Sequence, residues 1–431
     1  MSAQPNILLA FYGDDLTGST DALEFICRAG LRTLLFLEPP TFEQLNKYPG
    51  LQAFGIAGLT RSLSPTLMEE QLLSAFQLMK DTGARHIHYK VCSTFDSSAE
   101  VGSIGKAIDC GAQIFKSDFV PVLGGMPTLG RYCVFGNLFA RMGIGSNGRI
   151  YRLDRHPSMS KHPVTPANES DLRVHLSKQT NKKIGLIDLI QMENAIERWN
   201  KGIQDDEVVL LDAMSVEQLQ KIGEWLEAQC KNTKQLFSVG SSGIELALGN
   251  YWNHNGTVQE PGSWPAIADA SPVLIVSGSC SPVTSNQIYY AIENGFTEVI
   301  LDPGKVSENV SQVIQIVTEQ LKKGKDVIVH TGTKRNGTVS SELLGTALGR
   351  IAKEALATAN VKRVVIAGGD TSSYAARAME IEALEMIAPL VVGAPICRAY
   401  SKNKSIDGIE VNLKGGQVGA TDYFTTIKKG M

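Results

Sequence analysis

A chain of 431 residues has material for two or three domains with buried cores. Its 41 Lys plus Arg nearly balance 44 Asp plus Glu, and 43% hydrophobic with 20% charged residues is an ordinary globular mixture without the basic excess of a nucleic-acid binder. The N-terminal segment lacks a basic n-region, no run approaches the ~18 apolar residues of a membrane span, and seven scattered cysteines form no C-x-x-C pair. Together these features predict a cytoplasmic protein with neither membrane nor nucleic acid as partner.

The chain then repeats one phrase: a short apolar run, a Gly/Asp/Ser/Thr cluster and a helical pattern. Asn6–Tyr12 reads as a strand, Gly13–Thr17 as its loop, Ser19–Arg28 as an amphipathic helix stopped by Gly30, and Arg32–Leu37 as the next strand of a βαβ unit. Further strands are predicted at Leu51–Ala57, His86–Val91, Lys183–Leu189, Val208–Ala213 and Gln235–Val239. Residues 131–170, rich in Pro, Gly and Arg, break the rhythm and yield no assignment. Asn253–Ser271 reads as a boundary, after which strands follow at Pro272–Val276, Thr297–Leu301, Asp326–His330, Arg363–Ala367 and Leu390–Ala394. The predicted architecture is α/β: two lobes, residues 1–255 and 270–431, each a mainly parallel sheet flanked by helices. Strand-end loops facing a cleft between the lobes are the expected ligand site.

Four loops of the first lobe carry chemistry. In Gly13-Asp14-Asp15-Leu16-Thr17-Gly18, paired carboxylates could ligate Mg²⁺, accept from sugar hydroxyls or act as a base, while one of them could simply cap the following helix. Thr60-Arg61 offers a guanidinium suited to a carboxylate. Lys90-Val91-Cys92-Ser93-Thr94-Phe95-Asp96 gathers a cation, hydroxyls and a carboxylate. His162-Pro163-Val164-Thr165-Pro166 reads as a substrate contact or as a rigid turn. In the second lobe, Ser277-Gly278-Ser279 and Gly368-Gly369-Asp370-Thr371 each join a strand to a helix, where backbone N–H groups can meet phosphate. Lys414-Gly415-Gly416 completes the set, and Asp370 adds a carboxylate for a metal. Neither a P-loop nor a G-x-G-x-x-G fingerprint occurs.

Taken in order along nearly the whole chain, these motifs, with Val239-Gly240-Ser241-Ser242-Gly243, resemble the four-carbon acid sugar kinase family, bacterial enzymes that phosphorylate threonate, erythronate or 3-oxo-tetronate with ATP. The resemblance implies a first lobe binding the acid through Asp14, Arg61, Lys90 and the loop after it (Ser93, Thr94, Asp96), with His162 nearby. It implies a second lobe binding ATP through Ser277, Gly278, Ser279, Gly368, Gly369, Asp370, Thr371, Gly415 and Gly416. Mg²⁺ would bridge phosphate oxygens with Asp370 near it, and Asp14, then Asp15, is the candidate catalytic carboxylate. Small-molecule acid and ATP are thus the expected partners, and self-association stays open.

One departure bears on the substrate. Many members carry K-x-D-S-T-x-R-G after this strand, whereas here Cys92 stands for the Asp and Asp96 for the Arg. An anion in place of a cation changes which oxygens the loop tolerates, and makes a branched or oxidised acid of the 3-oxo-isoapionate class an alternative to threonate or erythronate. A dehydrogenase would show a glycine fingerprint that is missing, and a non-catalytic sugar-acid-binding protein would need no metal-competent carboxylates.

Overall fold

Apolar runs of four or five residues between Gly, Asp and Ser can bury every side chain only if their backbone groups pair within a sheet covered on both faces. The computed structural model, which describes residues 6–143, 147–162, 164–202, 205–332 and 339–430, shows such strands throughout. In chain order they are β1 (Leu9–Gly13), β2 (Thr33–Phe36), β3 (Ala53–Ala57), β4 (His86–Lys90), β5 (Val120–Leu123), β6 (Arg131–Val134), β7 (Asn137–Arg141), β8 (Ile150–Arg152), β9 (Ile184–Ile187), β10 (Val208–Leu211) and β11 (Leu236–Gly240). Then follow β12 (Val273–Ser277), β13 (Thr297–Ile300), β14 (Val327–His330), β15 (Arg363–Ala367), β16 (Ala383–Val391), β17 (Ala394–Tyr400) and β18 (Glu410–Lys414).

The chain forms two compact units. One runs to Thr33 and resumes from Pro39 to Pro261; the other comprises Leu34–Glu38 and the chain from Gly262 onward. The first unit contains a parallel sheet in the order β3-β1-β4-β11-β5-β10-β9. In register, Gly13 lies level with Ala57 and Lys90, and Lys90 with Gly240, so the loops after β1, β3, β4 and β11 leave the sheet side by side. Beneath them Phe76 meets Phe237 and Tyr89 edge-on, with ring centroids 5.2 and 6.2 Å apart. Such pairs add about 0.5–1.5 kcal/mol each beyond burial and help to fix these strand ends.

The stretch 131–170, unassigned from sequence, holds a small antiparallel sheet, β6-β7-β8. Strands β6 and β7 alternate buried and half-buried residues, a pattern that the interspersed Arg and Gly obscure. Strand β5 was also unexpected, since Pro121 in a central strand removes a ladder donor and argues against one.

In the second unit, β13-β14-β12-β15-β18 are parallel and β17, β16 and β2 continue the sheet antiparallel. Ser277, Ala367 and Lys414 are level, which places the three glycine-bearing loops next to one another. The Arg32–Leu37 strand is present as β2, whose Leu34–Phe36 pair antiparallel with β16, a partner that a four-residue apolar run does not name. One expectation is corrected here. The strand expected at Leu390–Ala394 straddles a hairpin turn between β16 and β17, where Gly393 has φ +80°, a conformation that favours glycine. No helix among the described residues is long and apolar enough to cross a membrane.

Candidate active site

Backbone bonds bring three loops of the first unit together. Asp14 N donates to Lys90 O at 2.9 Å, Arg61 N to Asp14 O at 3.1 Å, and Val91 N to Gly240 O at 2.8 Å. The adjacent aspartates then take different parts. Asp15 caps the helix Leu16–Arg28: its Oδ1 accepts from Gly18 N at 2.7 Å, its Oδ2 from Thr17 Oγ1 at 2.9 Å, and Arg61 Nη2 approaches Oδ2 to 2.8 Å. Burial would raise its pKa, but the Arg61 charge and these hydrogen bonds outweigh burial and hold it below the usual value. Asp14 is only 3% exposed; its Oδ2 accepts from Cys92 N at 3.3 Å, while Oδ1 is sealed without a hydrogen-bond partner among the described residues. Burial, and then the charge of Asp15, raise the Asp14 pKa from 3.8 to about 7 against the pull of Arg61 and Lys90.

Lys90 ends β4 fully buried, its Nζ donating to Val91 O at 2.9 Å and lying 3.5 Å from Asp21 Oδ2. Asp21 sits on the inward side of the helix, and burial raises its pKa too. Gly18 is needed here for space: a Cβ would stand 2.5 Å from Asp15 Oδ1, 3.4 Å from Lys90 Nζ and 3.8 Å from Asp14 Oδ1. Arg61 and Lys90 are therefore both engaged with carboxylates of the protein itself.

The loop after Lys90 turns sharply at Phe95, a buried residue with φ +54°. Thr94 Oγ1 lies 3.1 Å from Cys92 Sγ, and burial, followed by the charge of Asp96, pushes that thiol up to about 12, so it stays protonated. Thr94 and Asp96 line a pocket with Thr165, Glu169 and His175 over an apolar floor that includes Leu153 and Leu172. The loop thus meets the turn that follows His162. His162 itself serves that turn, its Nδ1 accepting from Thr165 N at 3.1 Å and lying 3.0 Å from Thr165 Oγ1. Pro163 of the same motif lies outside the described residues.

A cation that the sequence reading missed stands behind this loop. Arg131, the first residue of β6, is 7% exposed; Nε donates to Ser93 Oγ at 3.2 Å and Nη1 to the carbonyls of Leu129 and Arg141 at 3.1 Å each. Among the described residues no carboxylate is in ion-pair reach of it and Nη2 has no hydrogen-bond partner. Its place at the head of the unassigned stretch hid it.

In the second unit the glycine loops touch. A Cβ on Gly278 would meet Thr371 Oγ1 at 2.4 Å, one on Gly368 the same atom at 2.9 Å, and one on Gly416 Ser279 Oγ at 3.1 Å. Ser281 caps the helix Pro282–Glu293, whereas the helix Gly369–Ala378 begins at Gly368 (φ +118°) with no side-chain cap, and its first turn carries Asp370, which is exposed. Uncapped N–H groups at a helix N-terminus are the standard donors to phosphate. Ser277, whose Oγ accepts weakly from Ser279 N at 3.4 Å, and Gly415 complete the rim. Beneath it Lys414, quoted in the motif but given no role from sequence, is fully buried; its Nζ donates to Thr284 Oγ1 at 2.9 Å and Gly415 O at 3.0 Å. Burial lowers its pKa from 10.5 to about 7.

Residues 9–248 match the model of a sugar-binding N-terminal domain and residues 274–424 that of a nucleotide-binding C-terminal domain. The chain is 39% identical to a 3-oxo-isoapionate kinase of Paraburkholderia graminis, over 98% of this chain and 94% of that one. It is 26% identical to a 3-oxo-tetronate kinase of Pseudomonas savastanoi pv. phaseolicola and 28% to one of Pseudomonas fluorescens, each over 98% of this chain and 97% of the other. Its fold is that of a Salmonella typhimurium LT2 protein described as a tRNA synthase, with TM-score 0.79, 22% identity and 98% of each chain covered. Haemophilus influenzae protein HI1011 gives TM-score 0.70 at 22% identity, over 97% of this chain and 99% of that one.

Proposed function

The chain belongs to the four-carbon acid sugar kinase family, and on that premise we propose that Asp14 is the base that activates a sugar-acid hydroxyl for attack on the γ-phosphorus of ATP. The protein is an ATP-dependent sugar-acid kinase. The observation that carries the assignment of the base is the sealed, unpartnered Asp14 Oδ1 on a carboxylate whose pKa is raised to about 7, where a base works best near neutral pH. Asp15, engaged by Arg61, Gly18 and Thr17, holds the loop that presents Asp14. The hydroxyl proton passes to Asp14 as the oxygen bonds phosphorus and the bond to ADP breaks, and the rest of the barrier is lowered by positioning and charge neutralisation.

The nucleotide reading rests on the second unit: the open helix N-terminus at Gly368–Thr371, the rim of Ser277, Gly278, Ser279, Gly415 and Gly416, and the buried Lys414 behind it. Magnesium fits as an ion carried by the nucleotide. Among the described residues no three His, Cys, Asp or Glu groups gather into a metal cage, while Asp370 offers the single carboxylate that magnesium–phosphate sites use. Bound there, the ion would neutralise charge on the phosphate oxygens. Seven scattered cysteines with no C-x-x-C pair and the need for ATP support work in the cytoplasm.

For the acid, the 39% identity to a 3-oxo-isoapionate kinase, against 26–28% to the two 3-oxo-tetronate kinases, supports a branched 3-oxo acid. The replacement of Asp by Cys92 and Arg by Asp96 in the loop lining the acid pocket points the same way. A coupled ADP-release assay over four- and five-carbon sugar acids tests both levels. Acid-dependent ADP formation led by 3-oxo-isoapionate is expected. Preference for 3-oxo-tetronate would refute the substrate, and ADP formation with no acid would refute the class.

A further inference from the structure

We infer that Arg131, held by Ser93, is the residue that takes the carboxylate of the sugar acid, a role that Arg61 and Lys90 cannot fill. The inference rests on the sugar-acid kinase reading and deepens it. Arg61 Nη2 lies 2.8 Å from Asp15 Oδ2, and Lys90 Nζ lies 3.5 Å from Asp21 Oδ2, so both charges are already met within the protein. Arg131 differs: it is 7% exposed, its Nε and Nη1 are spent on Ser93 Oγ and two carbonyls, and among the described residues no carboxylate comes within ion-pair distance, Asp96 and Asp21 acting on its charge only from farther off. A buried guanidinium without a counter-ion is costly to maintain, and the usual reason to keep one is an anion that arrives with the ligand. The free Nη2 arm of a guanidinium fixed through its other nitrogens is pre-oriented for a carboxylate oxygen, with little side-chain entropy left to lose.

Its location suits the acid and not the nucleotide. Ser93, the group that anchors Nε, belongs to the loop that also carries Thr94 and Asp96 into the pocket, and the whole set lies within the sugar-binding domain match at residues 9–248. From Val91 to Ser98 that loop carries Asp96 and no cation, leaving the carboxylate to a cation from a neighbouring element. Of Arg61, Lys90 and Arg131, Arg131 is the one with no carboxylate within ion-pair distance among the described residues. Ser93 then acts as a positioning residue: it fixes the fork without touching the reacting atoms.

The test compares the preferred acid with its carboxamide in wild-type enzyme, Arg131→Met and Arg131→Lys. Wild type should prefer the acid strongly. In Arg131→Met the KM for the acid should rise at least about tenfold, as for loss of a charge-assisted bond, with the KM for ATP unchanged and the preference for acid over amide collapsed. Arg131→Lys keeps the charge but loses the fork, and should fall between the two; it carries the test if the Met variant lacks the wild-type thermal transition in circular dichroism and is therefore unfolded. A folded variant that keeps the wild-type acid-to-amide ratio overturns the assignment and leaves Arg131 as a strap for its two carbonyls. Wild-type enzyme that forms ADP with no sugar acid overturns the kinase reading itself, a separate result.

Discussion

Replacing Asp14 by Asn separates a catalytic carboxylate from a structural one, because the two roles predict opposite changes in stability. The folded-state pKa, about 7, lies above the ordinary 3.8, so between about pH 4 and pH 7 the folded protein keeps a proton that the unfolded chain gives up. The contribution of this group to stability therefore falls as pH rises through that window and is flat above it. At about 1.4 kcal/mol per unit, the rise of roughly three units corresponds to an ionisation penalty on the order of 4 kcal/mol above pH 7. Asn cannot ionise, so Asp14→Asn should melt higher than wild type at pH 8, with the gap closing towards pH 4, in a calorimetric series. The same variant should lose about 10²–10⁴-fold in kcat, the range for removing general-base help, with ADP affinity unchanged. In wild type, log kcat/KM should climb with unit slope and level off near pH 7. A variant that melts lower at pH 8, or that keeps near-normal kcat, would show that Asp14 holds the loop together and moves no proton.

Other expectations follow from the same geometry. Lys414, neutral above pH 7 in the fold but protonated to about 10.5 when unfolded, should make stability rise with pH between those values. Lys414→Met should flatten that slope in denaturant titrations, and wild-type ADP binding near pH 8 should take up a proton, read by calorimetry in buffers of different ionisation enthalpy; no uptake would exclude electrostatic contact with the phosphates. Gly278→Ala puts a Cβ 2.4 Å from Thr371 Oγ1 and should weaken ADP binding about tenfold, or about 1.4 kcal/mol, while sparing acid binding. Unchanged ADP affinity in the folded variant would move the nucleotide elsewhere. The pair Cys92→Asp with Asp96→Arg restores the commoner loop and should raise the 3-oxo-tetronate to 3-oxo-isoapionate ratio of kcat/KM; an unchanged ratio would clear the loop of any part in specificity.

Much of this protein was legible locally. Buried parallel strands read directly from continuous apolar runs, and the loops that follow them, from Asp14 to Gly416, announced themselves by polar residues at strand ends, since a loop beside a covered sheet has few other reasons to carry carboxylates and cations. Sequence could not divide the labour among those residues. Whether Asp14 or Asp15 capped the helix depended on which carboxylate Arg61 and Gly18 N reached, a matter of packing between Asp15 and Arg61, 46 residues apart. Nor could it show that Arg61 and Lys90 were already paired while Arg131 was not, because ion pairing is set by distances across the sheet and not by residue type. The same holds for Leu34–Phe36, whose run predicts a strand and says nothing of the partner edge, and for Lys414, whose lowered pKa arises from burial alone. Residue chemistry and period determined where groups able to react would stand, and three-dimensional packing, by satisfying some of them and stranding others, decided which remained free to act.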